Sequence, residues 1–301
     1  MTIIYKTFNL YNRDIILIDM NDNLRGELTI FLSSIFFAIA AVFVKFINEN
    51  LSSNFISFSR FLIGVIIALI LIIIRKEFKI YNKRLLVLRG ITGMISMISY
   101  FLAIRMSSSG RATLLNTTYP IFVAIYGALF FKERVSKKER ISIILCFVGV
   151  ITVFYDGTNH NIYGDMLGLL SGITGAISIR LIKRLREKNN SIIIYLSACL
   201  FGLIATSFSA KEGSMVDLVS LILLIAVGAT FFIAQILMNY GFKHVSSTKG
   251  SIITYAKVPL VLFFSYLFVS EEMNLKFMIG TIFIVAGLMI NMKKKVILAE
   301  I

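Results

Sequence analysis

Long uncharged apolar runs recur along the chain, and short clusters of Lys and Arg separate them. A bilayer has an apolar core of about 30 Å, which a helix crosses in about 20 residues. The apolar residues, 57% of the chain against 16% charged, exceed what soluble domains carry. A nine-helix alternative leaves one apolar segment without a place in the bilayer. We predict an all-α membrane protein with ten transmembrane helices, at residues 26–47, 53–74, 87–107, 111–131, 138–155, 163–182, 191–209, 217–242, 248–269 and 275–292.

The net charge of +15 comes from basic residues that lie mainly between the apolar runs. Counted along the ten predicted spans, 24 Lys and Arg fall on one side of the membrane and 4 on the other. Cytoplasmic loops carry such an excess, so we expect both termini, segments 1–25 and 293–301, in the cytoplasm. This distribution argues against nucleic acid as a partner. No secretory signal peptide is visible, and we expect translation to start at Met20.

The first half of the chain is repeated in the second. The stretch GELTIFLSSIFFAIAAVFVK, which begins at Gly26, matches GDMLGLLSGITGAISIRLIK, which begins at Gly164. We predict a duplicated five-span unit, at residues 26–155 and 163–292. Because five is odd, the second copy crosses the bilayer in the opposite direction. Inverted repeats are the architecture of many secondary transporters, which bind substrate near the midplane between the repeats.

The chain has only two prolines, Pro120 and Pro259, and each half holds one of them in similar apolar surroundings. Proline in a spanning helix removes one donor and leaves the carbonyl four residues earlier without its partner. Those carbonyls belong to Asn116 and Tyr255. One interpretation is a packing kink with the carbonyl satisfied by a nearby Thr or Ser. The other is a pair of hinges that face a central cavity, and the symmetric placement favours it.

Two stretches carry a family resemblance, ATLLNTTYPIFVAIYGALFFKERVSKKERISIILCFVGVIT and SIITYAKVPLVLFFSYLFVSEEMNLKFMIGTIFIVAGLMI. Each holds a proline helix, a Glu at its far end and a last helix with a Gly near its end, Gly149 and Gly287. With the Arg-Phe pair in SRFLIG, residues 59–64, they resemble the EamA family of the drug/metabolite transporter superfamily, over residues 26–292. The resemblance implies ten helices in inverted five-helix repeats, a central cavity, transport of small metabolites without ATP, and a bacterial inner membrane. Lys257 departs from the mostly uncharged pattern expected there.

Charged residues within spans are candidates for function, because burying them in the bilayer is costly. Arg60 and Lys257 lie deep in their spans, and each either contacts substrate or has a structural role. No Asp or Glu lies mid-span. An unpaired cation needs a partner, which favours an anionic or zwitterionic metabolite over the alternative, an exporter of cationic or amphipathic drugs. We expect Arg89, Arg105 and Arg180, which flank short spans, to extend toward the headgroups.

Uncharged polar residues cluster in the spans that precede or contain the prolines. Some of them must form hydrogen bonds between helices, and we expect others to line the cavity. The glycines Gly164, Gly168 and Gly172 lie four residues apart, a pattern typical of close helix packing. The residues predicted to bind substrate are Arg60, Tyr100, Asn116, Tyr119, Gln235, Asn239, Tyr255 and Lys257, with Pro120 and Pro259 as hinges.

A membrane enzyme or a scaffold is the alternative from another class of function. The two histidines, His160 and His244, fall in separate predicted gaps on opposite faces, with no cluster of Cys or carboxylates beside them. We therefore predict no catalytic residues, no metal site and no cofactor. No phosphate-binding loop of the form GxxxxGK[ST] occurs, which argues against an ATP-driven pump. The expected partners are a small-molecule substrate and the lipid bilayer, and the sequence leaves a homodimer open.

Overall fold

The structure is a computed structural model that describes residues 21–47, 51–76, 78–106, 112, 115–131, 134–154, 161–269 and 275–292. Every regular element in these residues is a helix, which confirms the all-α prediction. Met20, the expected translation start, lies outside the described residues, as do the tail 293–301 and the side chain of Arg105.

Eleven α-helices follow one another in the described residues, with a 3₁₀ helix at Ser207–Met215 and a second at Thr254–Ala256. The α-helices are α1 (Asp22–Lys45), α2 (Ser53–Arg75), α3 (Lys83–Met106), α4 (Tyr119–Phe131), α5 (Lys137–Phe154), α6 (Ile162–Leu185), α7 (Ser191–Thr206), α8 (Leu218–His244), α9 (Ser247–Ile253), α10 (Lys257–Val269) and α11 (Leu275–Met292).

Seven segments in the described part of the chain are long and apolar enough to cross a membrane. One of them, Ser247–Phe268, joins α9, the 3₁₀ turn and most of α10. Tyr119–Phe130 and Met278–Ile290 are apolar but shorter, and α5 begins with the four charged residues KKER. The chain is an integral multi-pass membrane protein, and the count of ten spans stays a prediction.

The helix axis is interrupted shortly before each proline. In the second copy, a 3₁₀ turn covers Thr254–Ala256, and α10 begins two residues before Pro259. In the first copy, α4 begins one residue before Pro120, after a turn in which the Thr118 N–H donates to the Leu115 carbonyl at 3.2 Å. Both prolines therefore lie in the first turn of a helix, where a missing N–H costs no helical hydrogen bond.

Glycine contacts between α2 and α7 recur in exchanged pairs. A Cβ atom at Gly64 would lie 2.9 Å from the Cys199 sulfur, and one at Gly202 would collide with the Phe61 ring. Gly202 is the equivalent of Gly64 in the repeat, and Cys199 is the equivalent of Phe61. The contact between the two helices is therefore repeated with the roles of the halves exchanged.

The same exchange relates α5 and α11. A Cβ atom at Gly149 would lie 2.6 Å from the Gly280 carbonyl oxygen, and one at Gly287 would lie 3.0 Å from the Ser142 carbonyl oxygen. The repeat makes Gly149 equivalent to Gly287 and Ser142 equivalent to Gly280. The pairing of α1 with α8 and of α3 with α6 follows the same rule. The helix contacts of the two halves are thus related by a pseudo-symmetry that exchanges the halves. Small residues at these contacts allow the helices to approach closely.

Candidate functional site

A cavity of about 170 Å³ lies among helices of both halves. Its wall takes residues from α1, α2 and α3 of the first half and from α6, α7, α8 and α10 of the second. Three more come from the turn before Pro120, from the start of α4 and from the 3₁₀ turn before α10. Six of the eight predicted substrate-binding residues are in this wall, namely Arg60, Tyr100, Asn116, Tyr119, Gln235 and Lys257.

Arg60 extends from α2 into the cavity wall, and the residue is 5% exposed. The central carbon of its guanidinium lies 4.6 Å from the centroid of the Phe61 ring and 4.5 Å from that of Phe231. Aromatic faces attract a cation, but they supply no oxygen for its N–H donors. Nε and Nη1 are buried and have no hydrogen-bond partner. Arg60 is therefore a positioned cation with unused donors at the cavity.

Arg89 is a second arginine in the wall, and the prediction that it extends toward the headgroups is wrong. The residue is 4% exposed, and its Nη1 lies against Gly93, one turn further along α3. A side chain at position 93 would collide with Nη1, so the glycine opens the path from the helix surface into the cavity. The Arg89 Nε and Nη1 atoms also have no hydrogen-bond partner.

The sequence contains a signal that could have identified both arginines. Each is followed by a glycine four residues later, Gly64 after Arg60 and Gly93 after Arg89, and residues at this spacing lie on one face of a helix. The missing side chain leaves room beside each arginine. At Gly64 that room is occupied by the Tyr195 hydroxyl from α7.

Arg180 shows what a structural arginine looks like in the same fold. It was also expected to extend toward the headgroups, but it is buried at 8% exposure, so that prediction is wrong too. Its Nε and Nη2 donate to the Val123 carbonyl oxygen of α4, at 3.1 Å and 2.6 Å. Arg180 does not line the cavity. Its donors serve the contact between α4 and α6.

Lys257 supplies the third cation of the wall. It is the first residue of α10 and is half-buried. Its Nζ lies 5.9 Å from the centroid of the Tyr100 ring, at the upper limit for an attraction between a cation and an aromatic face. The ring and the ammonium group come from different halves of the chain, so they bring α3 and α10 together at the cavity.

The polar wall residues are oriented by hydrogen bonds to residues behind them. The Asn116 side-chain amide donates to the Ser171 hydroxyl at 3.0 Å, and the Gln235 amide donates to the Asn239 side-chain oxygen at 3.1 Å. Each therefore keeps its carbonyl oxygen for other partners. Gly168 and Gly172 pack closely against the chain at Leu115–Thr118, as the glycine spacing predicted.

Four of the predicted residues lie outside the wall. Asn239 is fully buried behind Gln235, and its amide donates to the Ser191 carbonyl at 3.3 Å. Tyr255, 1% exposed, belongs to an apolar cluster with residues of α5 and α11. Pro120 and Pro259 do not line the cavity either. The structure thus brings Gln235 and Asn239 together. Tyr255 lies outside the wall but close enough to the wall residue Tyr119 to interact with it electrostatically.

The wall is positively charged. Arg60, Arg89 and Lys257 line it, and none of the described residues that line it is Asp or Glu. The buried Glu27 lies elsewhere, in an ion pair with Lys249. Within the described residues there is no group of three or more His, Cys, Asp or Glu that could hold a metal ion. The chemistry that this arrangement supports is the binding of an anion by charge-assisted hydrogen bonds.

Comparisons with known proteins agree with a transporter. The model of the EamA-like transporter family matches residues 24–155 and, a second time, residues 162–293. An uncharacterized transporter of Archaeoglobus fulgidus is 26% identical over 272 residues, which cover 88% of this chain and 97% of the relative. The pseudopaline exporter CntI of Pseudomonas aeruginosa is 24% identical over 278 residues, 90% of this chain and 97% of that one.

A solved crystal structure shares the fold. It superposes with a TM-score of 0.73 at 14% sequence identity, and the match covers 89% of this chain and 96% of the other. At this identity the likeness concerns the arrangement of helices alone.

Proposed function

Because the chain belongs to the EamA-like transporter family, we propose that it is a secondary active transporter that moves a small anionic or zwitterionic metabolite by alternating access. The observation that carries this proposal is the cavity between the two halves, with three cationic side chains in its wall and no carboxylate among the described wall residues. A substrate anion supplies the acceptors that the buried Arg60 and Arg89 nitrogens lack. The proposal requires a small-molecule substrate and a lipid bilayer as partners, and neither nucleic acid nor a cofactor.

The proposed topology has ten spans in two inverted five-helix repeats. The exchanged contacts of Gly64 with Cys199 and of Gly202 with Phe61 support it, because a two-fold relation between the repeats produces such pairs. The excess of Lys and Arg on one side of the predicted spans supports cytoplasmic termini. The bacterial inner membrane is the location that fits the family.

Alternating access follows from pseudo-symmetry. Two conformations that exchange the roles of the halves have similar packing and hence similar energy. The interruptions before Pro120 and Pro259 lie beside the cavity residues Tyr119 and Lys257. We propose these interruptions as the hinges, since a break in the helix is where the backbone can bend without losing helical hydrogen bonds.

Export is the direction favoured by one relative, because the Pseudomonas aeruginosa protein is named a pseudopaline exporter. A cationic drug is a poorer fit, since the cations of the wall would repel it. Family and relatives indicate a transporter and not an enzyme.

The experiment that tests the proposal measures flux into proteoliposomes that contain the full chain, with anionic, zwitterionic and cationic metabolites in parallel. We expect saturable flux of an anion or an amino acid, reduced about tenfold or more by Lys257→Gln. Lys276→Gln, which removes an exposed lysine outside the cavity, is the matched control and should leave flux unchanged. Saturable flux of cations alone would contradict the proposed substrate class, and absence of flux for the whole panel would contradict the transport function.

A further inference from the structure

Two guanidinium groups occupy one region of the cavity wall. Arg60 and Arg89 come from different helices, yet both lie close enough to Cys199 of α7, and to each other, to interact electrostatically. Both residues are more than nine-tenths buried, and each has two nitrogens without a hydrogen-bond partner. Like charges in a poorly solvated site repel each other. Such a pair is stable when an anion lies between its members.

A purely structural role does not account for this pair. Arg180 is buried to a similar extent, but its guanidinium donates two hydrogen bonds to the Val123 carbonyl. Neither Arg60 nor Arg89 has such a pair of hydrogen bonds, and neither forms an ion pair with a carboxylate of the described residues. Moreover, Gly93 leaves open the space that the Arg89 guanidinium enters. The absence of a side chain at position 93 therefore allows the Arg89 side chain to reach the cavity.

The third cation lies at a different level of the cavity. The Arg89 guanidinium lies beside Gly93, whereas the Lys257 ammonium group lies over Tyr100. Gly93 and Tyr100 belong to the same helix, and seven residues at 1.5 Å each separate their Cα atoms by about 10 Å along the helix axis. A single carboxylate does not reach cations at both levels, but a small molecule with an anionic group at each end does.

We infer that the substrate is a small dianion with a carboxylate at each end. This inference rests on the proposed transport function. One carboxylate is held by the fork-shaped donor sets of Arg60 and Arg89, which match its two oxygens, and the other binds Lys257. Charge balance leads to the same class. A monoanion leaves two of the three cations without a counter-charge, and a zwitterion brings a further cation into the wall.

Three four-carbon molecules test whether binding requires the second carboxylate of the substrate. Succinate has two carboxylates, butyrate has a methyl group in place of one of them, and 4-aminobutyrate has an aminomethyl group, CH2–NH3+, in that place. Binding of each is measured by isothermal titration calorimetry on the full chain in lipid nanodiscs. We expect succinate to bind about tenfold or more tightly than either of the other two, and Lys257→Gln to remove this advantage. Malonate and glutarate, one carbon shorter and longer, test the spacing.

Substitutions of the two arginines then test whether they bind the first carboxylate. Arg60→Gln and Arg89→Gln should each weaken succinate binding about tenfold or more, whereas Arg180→Gln, the buried arginine outside the cavity, should leave the dissociation constant unchanged. Gly93→Ala keeps the charge of Arg89 but displaces its guanidinium, and should weaken binding several-fold. Thermal unfolding midpoints of all variants identify any that lose affinity by unfolding.

The outcomes separate this inference from the proposed function. If none of malonate, succinate and glutarate binds, or if butyrate binds as tightly as succinate, the dianion inference is overturned. Saturable flux of 4-aminobutyrate or butyrate that does not change in Arg89→Gln would overturn the dianion inference, but it would still support the proposed transport function. Succinate that binds in nanodiscs through Arg60 and Arg89, but is not carried across proteoliposomes, would support the site and contradict the transport function.

Discussion

The two halves of the chain have similar packing but different cavity chemistry. Gly64 and Gly202 occupy equivalent positions and allow the same close contact between α2 and α7. The charged wall residues have no such equivalence. Ala198 stands where the repeat places Arg60, Val227 where it places Arg89, and Thr118 where it places Lys257. The glycine contacts between α2 and α7 are thus shared by the two halves, whereas the cations of the cavity wall are not.

This difference shows which parts of a duplicated transporter are constrained by symmetry. Two conformations of similar energy require that the helix contacts be repeated in both halves. In the proposed alternating access, the substrate contacts the same wall in both conformations, and it has no two-fold symmetry to match. Its binding groups are therefore free to lie on one side, as the arginines of the first half do. Substitutions in paired contacts should act alike in the two halves, and substitutions of wall charges should not.

The largest effect should come from the paired glycines of α5 and α11. Gly149→Leu and Gly287→Leu each force a side chain against a backbone carbonyl, that of Gly280 or Ser142. Backbone cannot move aside as a flexible side chain does, so each variant should lose about 3 kcal/mol of unfolding free energy. Denaturant titration in mixed micelles measures this loss. If one variant is strongly destabilised and the other is neutral, the contact is not shared by the halves.

A smaller effect is expected at the ion pair between Glu27 and Lys249. It links the start of α1 to the start of α9, and Glu27 is buried. Glu27→Gln removes the buried carboxylate from this contact, so it should weaken the link between α1 and α9 and favour conformations in which this end of the protein is open. Asp165 is the equivalent of Glu27 in the second half.

The cysteines provide the readout for that change. Cys199 lines the cavity, whereas Cys146 is buried outside it. We expect Glu27→Gln to raise the rate at which an anionic thiol reagent modifies Cys199 by about tenfold, measured by mass spectrometry of the labelled peptides. Cys146, in the same samples, is the internal control. Restoration of the slow rate by the charge exchange Glu27→Lys with Lys249→Glu would show that the pair itself holds this end closed, and a rate unchanged in Glu27→Gln would contradict that role.

The sequence predicted the repeated framework better than the direction of long side chains. Apolar runs specify helices, and the alignment of the two copies relates Gly149 to Gly287 before any contact is known. The direction of Arg89 depends on whether the side chain finds a path inward along its own helix, and Gly93, one turn further along α3, provides that path. Arg180 turned inward for another reason, because the Val123 carbonyl was within reach. Position within a span does not distinguish these cases from an arginine that extends to the headgroups.

Tyr255 is a different case. Thr254 and Lys257 face the cavity, whereas Tyr255 points into the apolar cluster with Cys146 and Ile284. Residues three positions apart share one face of a helix, and the residue next to one of them does not. The spacing of Thr254, Tyr255 and Lys257 is therefore enough to separate Tyr255 from the other two, and the prediction failed because it took the polar residues of the span together without assigning them to faces.

The smallest effect on stability should come from the prolines, which offer the sharpest comparison of the two copies. Pro120 is the second residue of α4 and Pro259 the third of α10. Neither position requires a backbone donor within the helix, so Pro120→Ala and Pro259→Ala should each change the unfolding free energy by no more than about 1 kcal/mol. Alanine also permits the α-helix to continue backward through the interruption, which would stiffen the proposed hinge.

Transport turnover should therefore fall several-fold in both proline variants, while substrate affinity and the thermal unfolding midpoint stay close to those of the unmodified protein. Flux and binding measured on the same preparations separate the two effects. If the proposed alternating access exchanges the roles of the halves, both proposed hinges bend in each cycle, and the two variants should slow turnover to a similar extent. Slow turnover in Pro259→Ala with normal turnover in Pro120→Ala would show that only the hinge in the second half bends. The two halves would then be alike in their packing but not in their motion.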